Sequence, residues 1–119
     1  MGIFSSKPRD PITMSSAKAK VDAAIKGNRV MIFSKSYCPY CAKAKRAVAS
    51  VLPKEKFNVM EIENDPECNA IQDYLLSITN GRSVPRVFID GVFVGGGDET
   101  DALARSGKLE VMLKEKGIL

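Results

Sequence analysis

The chain has 119 residues, is 45% hydrophobic and 27% charged, and carries a net charge of +4. That is the balance of one globular domain able to bury a core without disulfide staples. It contains no histidine, no tryptophan and three cysteines, which excludes a histidine-based hydrolase triad and leaves one Cys too few for a four-ligand zinc site built from Cys and His alone.

No apolar run approaches the ~20 residues of a membrane span, and no secretory apolar region is expected at the start. No cationic run or aromatic stacking motif points to nucleic acid. Residues 1–13, with Pro8, Pro11 and three Ser/Thr, read as a flexible tail ahead of one domain over 14–119. Ser15 or Ser16 then caps a helix running to Lys26, with Ala17, Val21, Ala24 and Ile25 on one face. Residues 30–33 are wholly apolar, the pattern of a central strand buried on both faces. After the loop SKSYCPYC, residues 39–52 read as a helix stopped by Pro53. Residues 57–62 alternate as a strand. Asp65 as N-cap, Pro66 at the first helical position and Glu67 open a helix that carries Ile71, Tyr74, Leu75 and Ile78 and ends near Asn80-Gly81. Two short strands, 86–90 and 92–94, meet at the hairpin signal Asp90-Gly91. Gly95-Gly96-Gly97 breaks the chain, and helices follow over 98–105 and 109–116. The order predicts an α/β fold: a four-stranded mixed sheet flanked by helices on both faces, with a right-handed βαβ crossover. Ligands belong outside the C-terminal end of the first strand, beside the cysteine pair.

Cys38-Pro39-Tyr40-Cys41 lies between that strand and the next helix. Cys38 falls at the helix N-terminus, where free N–H groups and the macrodipole favour an anion, and Pro39 suits the first helical position. The thiolate is the nucleophile of thiol chemistry. Holding a thiol at a pKa of ~4.5 instead of ~8.5 takes roughly 5 kcal/mol, of which a helix terminus supplies at most ~2 kcal/mol. The remainder must come from N–H groups around Tyr40-Cys41 and from a cation such as Lys35. Cys41, one turn inside the helix, is expected to be more buried and closer to an ordinary thiol. Cys38 therefore attacks and Cys41 resolves.

Four separated stretches, IFSKSYCPYC at 32–41, IQDYL at 71–75, SVPRVFIDG at 83–91 and GGGDE at 95–99, resemble the dithiol glutaredoxins of the thioredoxin-fold superfamily. The resemblance covers roughly residues 16–117. It implies a thioredoxin-like fold and a glutathione-dependent thiol–disulfide oxidoreductase that reduces protein–glutathione mixed disulfides and protein disulfides. Cys38 and Cys41 would be catalytic and form the redox-active disulfide. It further implies glutathione contacts from Lys35 and Gln72 to the glycine carboxylate, from Tyr40 as a flanking aromatic, and from the Val84 backbone beside a cis Pro85. Gly96, Gly97, Asp98 and Glu99 would meet the γ-glutamyl end. Ser83 stands where the family usually has Thr, Glu99 where it has Asp, and Gly97 where many relatives carry a further Cys. Glutathione is expected as co-substrate with no bound redox cofactor and no metal. Partners are glutathionylated or disulfide-containing proteins, and the chain is expected to be a cytoplasmic monomer. The alternative is a dimer bridging a [2Fe–2S] cluster through the first Cys of each chain and two glutathiones, acting as carrier or sensor. Cys68 is read as a semi-exposed spare thiol, with glutathionylation or an intermolecular disulfide as the sharper alternative.

Met1-Gly2-Ile3-Phe4-Ser5-Ser6 fits the pattern for N-myristoylation of Gly2. An unmodified arm, or a second start at Met14, stands beside it. A single acyl chain with Lys7 and Arg9 against Asp10 gives at most weak membrane contact.

Overall fold

The computed structural model describes residues 10–119. The acylation site expected at Gly2, and residues 1–9 of the expected tail, lie outside them. The elements are α1 (Pro11–Gly27), β1 (Val30–Ser34), α2 (Pro39–Ala49), a short 3-10 turn (Lys54–Lys56), β2 (Asn58–Glu61), α3 (Cys68–Thr79), β3 (Arg86–Ile89), β4 (Val92–Gly95), α4 (Gly97–Arg105) and α5 (Lys108–Glu115).

The sheet order is β2-β1-β3-β4. β1 pairs parallel with β2 and antiparallel with β3, and β3 pairs antiparallel with β4. This is the expected mixed sheet of a thioredoxin-like fold. Asp90 and Gly91 both take positive φ, 49° and 79°, the two-residue hairpin turn whose twist matches the strands. β1 is buried at every position and divides the interior. Val30 and Ile32 pack beneath α2 and α5 with Ala44, Val48 and Leu109. Met31 and Phe33 pack beneath α1 and α3 with Val21, Ile71 and Leu75. Among the described residues no helix is long and apolar enough to cross a membrane.

Two helix starts differ from expectation. α1 begins at Pro11, a turn earlier than Ser15 or Ser16, because Asp10 caps it. Its carboxylate accepts the Thr13 N–H at 3.0 Å and the Thr13 hydroxyl at 2.7 Å. α3 begins at Cys68, later than Asp65-Pro66. There the Asp65 carboxylate accepts the Glu67 N–H at 2.8 Å and its carbonyl accepts the Cys68 N–H at 2.9 Å. These bonds close a turn instead of opening a helix.

Candidate active site

Cys38 is the N-cap residue of α2, with extended backbone and Pro39 at the first helical position. The turn leading to it is closed by the Cys38 N–H donating to the Lys35 carbonyl at 3.1 Å. The Ser36 N–H and hydroxyl both donate to the Glu63 carboxylate, fixing the loop to the segment after β2. All three cysteines are free thiols; Cys38 and Cys68 are half-buried and Cys41 is buried.

The two thiols of the pair are driven apart. Burial pushes the Cys38 thiol up, but the Cys41 N–H and thiol, the Tyr40 N–H and the Lys35 charge outweigh it and hold Cys38 below the ordinary thiol value. Burial pushes Cys41 up, and the neighbouring Cys38 adds to this. The Lys35 N–H, 3.4 Å from Cys41 Sγ, and the Ser34 hydroxyl act in the opposite sense without overcoming it. The asymmetry expected from the sequence is thus built from named groups. The Cys38 thiol also lies 3.9 Å from the Val84 carbonyl, and the Val84–Pro85 bond is cis.

An open cleft of about 620 Å³ lies beside Tyr40 and Val84, the latter within 3.9 Å of the Cys38 thiol. It gathers Tyr40 from α2, Val84 and Pro85 from the loop before β3, and Gly96, Gly97, Asp98 and Glu99 from the start of α4. Gly97 permits the closeness of α2 and α4, since a Cβ there would sit 2.6 Å from the Tyr40 carbonyl oxygen. Part of the acidic chemistry at this rim is engaged. Glu99 Oε1 accepts the Gly96 N–H at 2.7 Å, and Asp98 pairs with Lys43 at 2.8 Å.

Cys38, Cys41, Lys35 and Gln72 are outside the cleft lining. Lys35 acts on the thiols from the loop. Gln72 is 7% exposed, donates from Nε2 to the Arg82 carbonyl at 2.9 Å and accepts the Cys68 thiol at 3.5 Å. Cys68 is therefore linked to a residue of the expected glutathione site.

Sequence reasoning missed Arg86 and Phe93, which line the cleft. The Arg86 guanidinium lies 5.1 Å from the Phe93 ring centroid and donates to the Ser83 carbonyl at 2.7 Å. The available signal was a lone charge opening the apolar strand β3. It also missed Ser34, which ends β1 fully buried instead of opening the loop.

Residues 30–94 match the family model for Glutaredoxin. Glutaredoxin-1 of Rhizophagus irregularis is 42% identical over 100 residues, covering 84% of this chain and 97% of that protein. A glutaredoxin of Solanum lycopersicum is 40% identical, covering 89% and 94%. Among solved structures, oxidized glutaredoxin 2 from Chlamydomonas reinhardtii superposes with a TM-score of 0.83 at 49% identity, covering 89% and 98% of the two chains. The buckwheat glutaredoxin–glutathione complex does so at 0.83 with 32% identity, covering 93% and 99%. With the paired thiols of Cys38 and Cys41 at the head of α2, the chain belongs to the glutaredoxin family and is a thiol–disulfide oxidoreductase of the dithiol type.

Proposed function

We propose that this chain uses glutathione to reduce protein–glutathione mixed disulfides through Cys38, and protein disulfides through Cys38 and Cys41 together. The observation that carries the reading is the opposed perturbation of the two thiols, Cys38 lowered and half-exposed, Cys41 raised and buried. The similarity to a glutaredoxin solved with glutathione supports the co-substrate.

In the one-thiol branch, Cys38 thiolate attacks the glutathionyl sulfur, the S–S bond to the substrate breaks and the substrate thiolate leaves. A second glutathione thiolate attacks the glutathionyl sulfur on Cys38, releasing oxidised glutathione and restoring the Cys38 thiolate. In the two-thiol branch, Cys41 attacks Cys38 of the mixed disulfide with the substrate, leaving a Cys38–Cys41 disulfide for glutathione to reduce. The cleft beside Cys38 suits a tripeptide. The γ-glutamyl carboxylate faces the N–H groups at the start of α4, the cysteinyl backbone pairs with Val84, and the ammonium meets Asp98, whose exposed carboxylate can exchange Lys43 for it. Lys35 and Gln72 serve the glycine carboxylate, with Gln72 turning its amide from Arg82.

The test is turnover of a small glutathione mixed disulfide with glutathione and its reductase. Cys38→Ser abolishes it. Cys41→Ser retains most of it and loses reduction of a protein disulfide. Turnover surviving in Cys38→Ser sinks the mechanism.

A further inference from the structure

Side chains along β1 alternate across the sheet. Val30 and Ile32 face α2, while Met31 and Phe33 face α1 and α3. Ser34 follows Ile32 by two residues and so projects toward α2, whose buried face carries Cys41, Ala44, Ala47 and Val48. Ser34 and Cys41 are both 0% exposed. The N–H of the next residue, Lys35, already reaches Cys41 Sγ at 3.4 Å. Among the described residues, Ser34 Oγ is the one buried side-chain nitrogen or oxygen that makes no hydrogen bond. A buried hydroxyl is ordinarily satisfied, so an orphan next to a reacting sulfur calls for a reason. A neutral thiol is a weak acceptor, whereas a thiolate draws short, charge-assisted bonds.

We propose that the Ser34 hydroxyl is a donor held for the Cys41 thiolate, without a hydrogen bond while Cys41 is a thiol and bonded when its sulfur carries charge. The catalytic use of this donor rests on the reading of Cys41 as the resolving thiol. Cys41 loses its proton to solvent, and its thiolate attacks Cys38 Sγ of the mixed disulfide. The Cys38–Cys41 bond forms, the bond from Cys38 to the substrate sulfur breaks, and the substrate leaves as thiolate. In the return direction, a glutathione thiolate attacks Cys38 and expels Cys41 as thiolate. Ser34 stabilises the nucleophile in the first step and the leaving group in the second. Burial holds the Cys41 thiol above its ordinary value, and the Lys35 N–H and the Ser34 hydroxyl both act against that rise. The two groups form a small donor site beneath the helix, in the place where an unpaired anion would otherwise be costly.

The experiment uses the full chain with Cys38→Ser and Cys68→Ser, which leaves Cys41 as the sole cysteine. Thiolate absorbance followed against pH gives its midpoint. Adding Ser34→Ala raises that midpoint by about one pH unit, a tenfold loss of thiolate below it, and Ser34→Thr, which keeps the hydroxyl, restores it. An unchanged midpoint in Ser34→Ala overturns the proposal. Loss of an unbonded hydroxyl should not threaten the fold, and thermal unfolding of Ser34→Ala checks this. With all cysteines present, Ser34→Ala lowers insulin reduction about tenfold relative to turnover of a small glutathione mixed disulfide; an unchanged ratio also counts against it. Cys41→Ser separates the two readings. If that variant keeps full insulin reduction, the resolving role of Cys41 is wrong, and the titration alone decides whether Ser34 serves its thiolate.

Discussion

At Cys38 the decisive quantity is the sign of the balance between burial and donors. Burial raises the thiol pKa, and the Cys41 groups, the Tyr40 N–H and the Lys35 charge together lower it further than burial lifts it. In a Cys68→Ser chain, the rate of capture of Cys38 by iodoacetamide should therefore reach its half-maximum below the ordinary thiol value. Lys35→Met should move that midpoint upward by less than about one pH unit, because the charge of half-buried Lys35 is still partly screened by solvent. A midpoint at or above the ordinary value in the parent contradicts the account. Stability follows the same sign. The folded chain binds fewer protons at Cys38 than the unfolded one, so this contribution is complete above the unfolded thiol value and is lost as pH falls through the folded one. Cys41 is raised, so its contribution is present below the unfolded value and is lost as pH rises through the folded one. The cysteine pair and its polarity were legible in sequence because spacing, Pro39 and a strand–helix junction suffice to set them. Ser34 was not, because a serine after an apolar run reads equally well as the last strand residue or the first loop residue.

Individual elements show where local signals mislead. Asp10-Pro11 and Asp65-Pro66 are the same dipeptide. The first opens α1, and the second closes a turn before α3. What differs is the next contact: Thr13 supplies both an N–H and a hydroxyl to Asp10, whereas Asp65 is also drawn to Lys20 of α1 at 3.1 Å. Such a tertiary partner is invisible to a helix-start rule. The meeting of α2 and α4 is another feature beyond local pattern. Gly97 reads in sequence as a chain breaker and a glutathione contact, but it is also buried against Tyr40. A Cβ would lie 2.6 Å from the Tyr40 carbonyl oxygen and 3.2 Å from Tyr40 Cβ. A carbonyl in the first turn of α2 cannot swing aside, so the start of α4 must retreat. Gly97→Ala should cost about 1–3 kcal/mol as overpacking, against at most ~1 kcal/mol returned by the better helix former. Urea unfolding measures the net loss, and a variant as stable as the parent would show that the two helices part freely.

Across the whole molecule, the mixed four-stranded sheet and its hairpin were open to sequence reasoning, but the antiparallel pairing of β1 with β3 that sets the strand order was not, because no local motif links those two strands. The cleft was only partly open to it, because Arg86 and Phe93 meet there through the hairpin register and not through any motif. The sheet also sets how damage should spread. Cys38 and Cys41 stand on α2, above the core containing Ile32, Ala44 and Val48. Leu75, fully buried, belongs to the core on the other side, with Val21, Phe33 and Ile71. Leu75→Ala should cost about 2–5 kcal/mol from lost burial and the cavity left behind, a large share of the ~5–15 kcal/mol that holds a domain of this kind. Its urea midpoint should fall accordingly. Under conditions where the variant remains folded, its pH profile of iodoacetamide capture at Cys38 should stay close to the parent, since the sheet lies between that core and α2, and Val84 links the two sides only at its edge. Val48→Ala, in the helix that carries both cysteines, should lower stability and move the Cys41 midpoint as well, because it loosens the layer holding Cys41 over β1. If Leu75→Ala shifts the thiol profile as far as Val48→Ala does, the sheet transmits packing changes instead of insulating the site from them.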